Sequence, residues 1–170
     1  MRAQFKSGFT LVEFLIYIAI VSTMVVAATE IIIITLRQNI KLEAMAEVAQ
    51  NTRLFMGRMN LAVNNAMAVT APIAGATSTR LNLQMAEPSI NPTIFTLQSG
   101  RVYLKEGTAV TTTLTADEVY VDGYFYNITP LVAPGVVMIQ ANVRASSTGQ
   151  QMEYLFNQWV SSTAVVRYRL

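Results

Sequence analysis

Glu13 is the residue whose chemistry most needs a partner. It stands near the start of a run from Phe9 to Leu36 that is otherwise apolar apart from hydroxyls and Glu30. A charged side chain at bilayer depth costs roughly 2.5–3.5 kcal/mol on insertion scales. A simple anchor has no use for that cost, so something must compensate the carboxylate. Ahead of the run lie Arg2 and Lys6 and no acid, and basic residues beside a first apolar segment hold that end in the cytoplasm. Catalysis has little to work with elsewhere. The chain has no histidine and no cysteine, which removes most nucleophile–base pairs and most zinc sites. No serine sits in a G-x-S-x-G context, and no G-x-x-x-x-G-K-[ST] loop offers a phosphate cradle. The expectation is a protein that is not an enzyme.

The stretch Lys6-Ser-Gly-Phe-Thr-Leu-Val-Glu13, followed at once by the apolar run, closely resembles the processing site of type IV prepilins and pseudopilins. The resemblance implies cleavage between Gly8 and Phe9 by a membrane prepilin peptidase, then methylation of the new N-terminus. Gly8 has no side chain, which lets a protease approach its carbonyl closely. Phe9 would carry a new α-ammonium with an unperturbed pKa of about 7.7–8.0. An ammonium and a carboxylate in apolar surroundings stabilise each other only as a close pair. By the resemblance, Glu13 pairs with the N-terminus of a neighbouring subunit and sets the register of a filament. Thr10 adds a hydroxyl at the same end. Two blander readings compete: a secretory signal cut after Val26-Ala27-Ala28, and a plain signal anchor. The apolar run is long for a signal core, typically about 7–15 residues, and neither reading explains Glu13.

The 170 residues allow one modest globular domain plus an extended element. Without Arg2 and Lys6 the twelve basic residues fall to ten, equal to the ten acidic ones. No basic field for nucleic acid is visible. With no cysteine, the disulfide-closed C-terminal loop of many pilins is ruled out.

Four segments are expected: a basic leader over 1–8, a membrane and assembly half-helix over 9–36, an amphipathic half-helix over 37–67, and a β-rich domain over 68–170. A bilayer needs roughly 20 apolar residues, and 9–36 exceeds that. Glu30 marks the outer edge of the span, ahead of Arg37 and Lys41. The helix holds no proline, although many members of the resembling family carry one. Ile40, Ala44, Val48, Phe55, Met59, Ala62 and Ala66 then recur as a helical stripe. Gln38, Lys41, Glu43, Glu47, Asn51, Arg58, Asn60 and Asn64 are placed on the solvated face. Beyond Pro72 strands are expected at 81–85, 93–97, 101–105, 110–114, 118–121, 124–128 and 136–143, and one or two more over 153–169. Ser99-Gly100 reads as a hairpin turn, and Trp159 is expected to cover a core edge. The predicted fold class is α+β: a pilin-like long N-terminal helix packed on an antiparallel β-sheet.

Asp117, Glu118 and Asp122 form the acidic cluster. Calcium takes six to eight oxygens, and some pseudopilins bind it. Three acids flanking a strand read better as a solvated strand face, so the expected cofactor is none, with calcium the alternative. Tyr120, Tyr124, Phe125 and Tyr126 read as core filling or cross-strand pairs. Asn127-Ile-Thr129 matches a glycosylation triplet.

Arg53, Arg58 and Met59, before Asn65-Ala66, are similar to the helix end of the larger minor pilins and J-type pseudopilins. The resemblance therefore implies a minor structural subunit of a type IV pilus-like or type II secretion-like filament. Its alternatives are a major pilin, or, in another class, a signal-anchored or secreted β-domain adhesin. The implied partners are the prepilin peptidase, other pilin subunits, the inner-membrane assembly platform with its ATPase indirectly, and the lipid bilayer. The implied location is the inner membrane as a single-pass protein, then an extracytoplasmic filament.

Overall fold

The computed structural model describes residues 10–129, 135–145 and 156–167. The chain divides into two compact units, Met1–Ile40 and Lys41–Leu170. One helix, α1, runs over Leu11–Asn65, 55 residues, and contributes to both.

In the first unit every residue from Thr10 to Asn39 is exposed. Apolar side chains point outward all round the helix, the signature of a helix made for lipid or for other helices. In the second unit the same helix gains a buried stripe of Ala44, Val48, Thr52, Phe55, Met56, Met59 and Val63. These recur mostly one turn apart, so they share one face.

That face packs on two antiparallel sheets. One is five-stranded in the order β1-β3-β4-β5-β6, and the other is four-stranded in the order β2-β7-β8-β9. The strands are β1 (Ala66–Ala71), β2 (Thr77–Ser78), β3 (Arg80–Met85), β4 (Thr93–Gln98), β5 (Arg101–Glu106), β6 (Thr112–Thr113), β7 (Val119–Asn127), β8 (Val136–Ala145) and β9 (Asn157–Val165). A 3₁₀ turn over Pro88–Ile90 precedes β4. Phe55, Met59 and Val63 from the helix join Leu81, Leu83, Phe95, Val102, Val121, Phe125, Val137 and Ile139 in one core. Strand periodicity of two sends these residues inward and their neighbours to solvent.

The α+β class is as the sequence predicts, with differences of detail. The helix ends at Asn65 and β1 begins on the next residue. The sheet is split in two, and the halves meet where the Val121 N–H donates to the Gly100 carbonyl at 2.8 Å. Gly100 has φ +76, and a Cβ there would lie 2.2 Å from the Tyr120 ring. With Ser99 at φ 52, both turn residues are left-handed, as a two-residue hairpin requires. The strands expected at 118–121 and 124–128 are one strand, β7, paired without a break from Val119↔Ala145 to Asn127↔Val137. Gly123 lets it continue, since a Cβ would fall 2.2 Å from the Gln140 carbonyl oxygen. Between 110 and 114 only Thr112–Thr113 pair.

Asn51 and Asn60, expected in solvent, instead tie the helix to the loop before β7 and to β9. The Ala116 N–H donates to Asn51 Oδ1 at 2.9 Å, and Asn60 Nδ2 donates to Ser162 Oγ at 3.2 Å. Trp159 covers no core edge and is 74% exposed. On β9 it is Val160, Ser162 and Ala164 that are inward, so alternation turns Trp159 outward.

Candidate functional site

The start of α1 is built by two side chains. Thr10 occupies the cap position, and its carbonyl accepts the first helical bond from the Phe14 N–H at 3.2 Å. The Glu13 N–H donates to Thr10 Oγ1 at 3.3 Å. In return the Thr10 N–H donates to Glu13 Oε2 at 3.0 Å, and the Thr10 hydroxyl donates to the same oxygen at 3.0 Å. This is a reciprocal capping box, which satisfies two of the amides that every helix start leaves without partners. Its pattern, Thr10-x-x-Glu13 ahead of an apolar run, is legible in the sequence, yet the functional reading of Glu13 passes over it.

The cap has a physical consequence. A carboxylate holding two hydrogen bonds at a helix N-terminus, where the macrodipole is positive, is partly compensated within its own chain. The other threonines along the span are satisfied within the helix. Thr23 donates to the Ile20 carbonyl, Thr29 to Val25 and Thr35 to Ile31, each at 2.8 Å. Such internal bonding is what an apolar solvent demands. Glu30 shares a shallow recess with Ser22, Thr23, Val26 and Ala27. By length and composition α1 is able to cross a membrane.

Arg2, Lys6, Gly8 and Phe9 lie outside the described residues. The acidic cluster is not drawn together. Asp117 pairs with Arg101 at 2.9 Å, and among the described residues no group of three or more metal-ligating side chains is placed to hold an ion. Glu118 and Asp122 are exposed. The aromatic cluster divides by strand periodicity. Phe125 is buried, whereas Tyr120 and Tyr124 are outward and exposed. Tyr120 lies under the Arg144 guanidinium at 4.2 Å from the ring centre, a cation–π contact. Tyr124 donates a hydrogen bond to Gln140 Oε1.

Asn127 of the glycosylation triplet is buried. Its Nδ2 donates to the Pro72 carbonyl at 2.7 Å, and its Oδ1 accepts from the Thr129 N–H at 3.0 Å and from the Thr129 hydroxyl. It is a structural residue joining the end of β7 to the loop after β1.

A long apolar helix with a capped carboxylate at its start, continuing into a helix-on-sheet domain, defines a pilin-like class of architecture. Residues 4–29 match the prokaryotic N-terminal methylation motif, the processing signal of type IV prepilins and pseudopilins. The motif supports a type IV pilin-like or pseudopilin precursor, and proteins with this motif are normally structural rather than enzymatic. It implies processing by a prepilin peptidase and assembly with other pilin subunits. Together with the apolar helix it fits a precursor anchored in the inner membrane. No curated protein matches the chain, and no solved structure does.

Proposed function

We propose that this protein is a minor structural subunit of a type IV pilus-like or type II secretion-like filament. In this reading the peptidase cuts after Gly8, Phe9 becomes the methylated N-terminus, and Glu13 pairs with the terminal ammonium of a neighbouring subunit. The basic Arg2 and Lys6 keep the leader in the cytoplasm, and the assembled subunit leaves the membrane for an extracytoplasmic filament built on a platform and its ATPase. The observation that carries the reading is the methylation motif over 4–29 leading into thirty consecutive exposed residues, Thr10 to Asn39. A surface of that length and apolarity requires lipid first and neighbouring helices afterwards.

The capping box supports a two-stage use of Glu13. In the lone precursor Thr10 lowers the cost of the carboxylate. In the filament a neighbour's ammonium supplies full charge compensation, and one polar pair in an apolar seam fixes register. The minor rather than major role rests on the resemblance of Arg53, Arg58 and Met59 to the larger minor pilins. Both arginines are exposed beside the buried Met59, so they are available to partners.

The test is the mass of the mature N-terminus in cells with and without the prepilin peptidase. A product beginning at methylated Phe9, seen only with the peptidase, is expected. A product beginning at Thr29, or an uncut chain, would replace the filament reading with a secreted or anchored β-domain.

A further inference from the structure

The outward faces of the two sheets differ in charge. On the four-stranded sheet the outward charges, Asp122 and Arg144, cancel. On the five-stranded sheet, alternation turns Arg80 of β3, Thr96 and Gln98 of β4, and Arg101, Tyr103 and Lys105 of β5 away from the core. The register sets them side by side: Arg80 pairs with Thr96, Thr96 with Tyr103, and Gln98 with Arg101. Over these strands lies a shallow groove of about 400 Å³, which Thr111 also lines. Small-molecule sites commonly enclose about 300–1,000 Å³. No carboxylate lines the groove.

Of the cations on this face, Arg101 is compensated by Asp117 at 2.9 Å. Arg80 spends its Nε–H on Asn82 Oδ1 at 3.2 Å, and the other N–H groups of its guanidinium are unspent. Among the described residues neither Arg80 nor Lys105 is in an ion pair, and the side chains of Thr96, Gln98, Tyr103 and Thr111 make no hydrogen bond. Two uncompensated positive charges and a set of unused donors therefore face one groove.

We propose that this groove binds a phosphate monoester group. The sign of the charge selects an anion, and its size narrows the choice. A monoester carries about −1.5 to −2 near neutral pH and offers three acceptor oxygens, which matches two uncompensated cations. A carboxylate carries a single charge on two oxygens and leaves one cation unpaired, and so does a singly charged phosphodiester. Strand spacing puts the Cα atoms of Arg80 and Lys105 about 12 Å apart, a span that two long side chains close over one group. Arg80 offers a planar fork to two phosphate oxygens, and Lys105 adds a point charge. The hydroxyls of Thr96, Tyr103 and Thr111 and the Gln98 amide are neutral groups of the kind that complete phosphate contacts. The groove belongs to the globular unit and uses no residue of α1.

The test is calorimetric titration of the full chain in detergent, at constant ionic strength, with inorganic phosphate, a sugar phosphate, dimethyl phosphate and acetate. Saturable binding is expected for the first two, and binding at least about tenfold weaker for the last two. A sugar phosphate that binds more tightly than inorganic phosphate makes the occupant a phosphorylated small molecule. Equal affinities make it the phosphate group alone. Arg80→Gln and Lys105→Gln should each weaken phosphate binding at least about tenfold. Both side chains are exposed, so the unfolding temperature should not move. Arg144→Gln removes the same charge from the other sheet and should leave the affinity unchanged. No saturable phosphate binding, equal binding of acetate or dimethyl phosphate, or an equal loss in Arg144→Gln would overturn the proposal. Peptidase processing is independent of each result, so failure here leaves the filament reading standing.

Discussion

The two halves of α1 share one backbone and opposite fates. From Thr10 to Asn39 every residue is exposed, although this half is the more apolar. From Ala44 to Val63 the helix is mixed in composition and yet buries seven residues. Apolar content alone therefore does not say what becomes core. The second half is buried because its apolar residues share one face and a sheet of matching pattern lies against it. The first half is apolar on all sides, and no single face of a small domain is able to satisfy it. Its partners must come from outside the chain, as lipid or as other helices.

This contrast predicts that substitutions in the two halves separate stability from assembly. Glu13→Ala should cause the largest functional loss: membrane insertion intact, recruitment into filaments strongly reduced, and unfolding of the globular unit unchanged within about 0.5 kcal/mol. Normal incorporation of that variant would end the register argument. Phe55→Ala, in the second half, should do the reverse. Phe55 is 1% exposed, and truncating a buried phenylalanine costs about 3–5 kcal/mol, measurable by denaturant unfolding of the detergent-solubilised chain. A loss below 1 kcal/mol would mean that the helix is not seated on the sheets as described.

Smaller changes sharpen the boundary. Asn127→Ala removes a buried amide that holds Pro72 and Thr129, leaving partners unsatisfied at a cost of about 1–3 kcal/mol. An unaltered unfolding midpoint, or glycan found on Asn127, would contradict its structural role. The smallest expected effect is a gain. Gly57 is exposed within the buried half of the helix, and a Cβ there meets nothing within 4 Å. Gly57→Ala should stabilise by about 0.5–1 kcal/mol. A loss of filament incorporation without loss of stability would instead show that a neighbouring subunit approaches the helix at Gly57.

Much of this was legible in the residues. The processing motif was legible by resemblance and the span by composition, while the helical period found Ala44, Val48, Phe55 and Met59 of the buried stripe but not Thr52, Met56 and Val63. The Ser99-Gly100 hairpin follows from turn chemistry, and its strands pair from Thr93↔Glu106 to Gln98↔Arg101. The misreadings share one cause. The expected strands 118–121 and 124–128 leave out Gly123, yet the close approach of β8 makes it the residue that fits the unbroken strand. Trp159 was expected to cover a core edge, but its place in the alternation of β9 faces it outward. Asn51 and Asn60 looked solvated because they are polar, and each finds a partner far along the chain, at Ala116 and Ser162.

What the sequence determined by itself is local. It set where the helix starts, through Thr10 and Glu13 three residues apart. It set which helix residues share a face, and that the first half is too apolar all round for a domain surface. These depend on spacings of a few residues, and backbone geometry converts spacing directly into position. Only the tertiary structure decided that the strands divide into two sheets, that the acidic residues do not gather, that Asn127 is enclosed, and that among the described residues β9 ends the order of its sheet. Each depends on which distant segments become neighbours, and many pairings are compatible with the same alternating pattern. The choice among them is made by packing against the stripe from Ala44 to Val63, where the whole core must close at once.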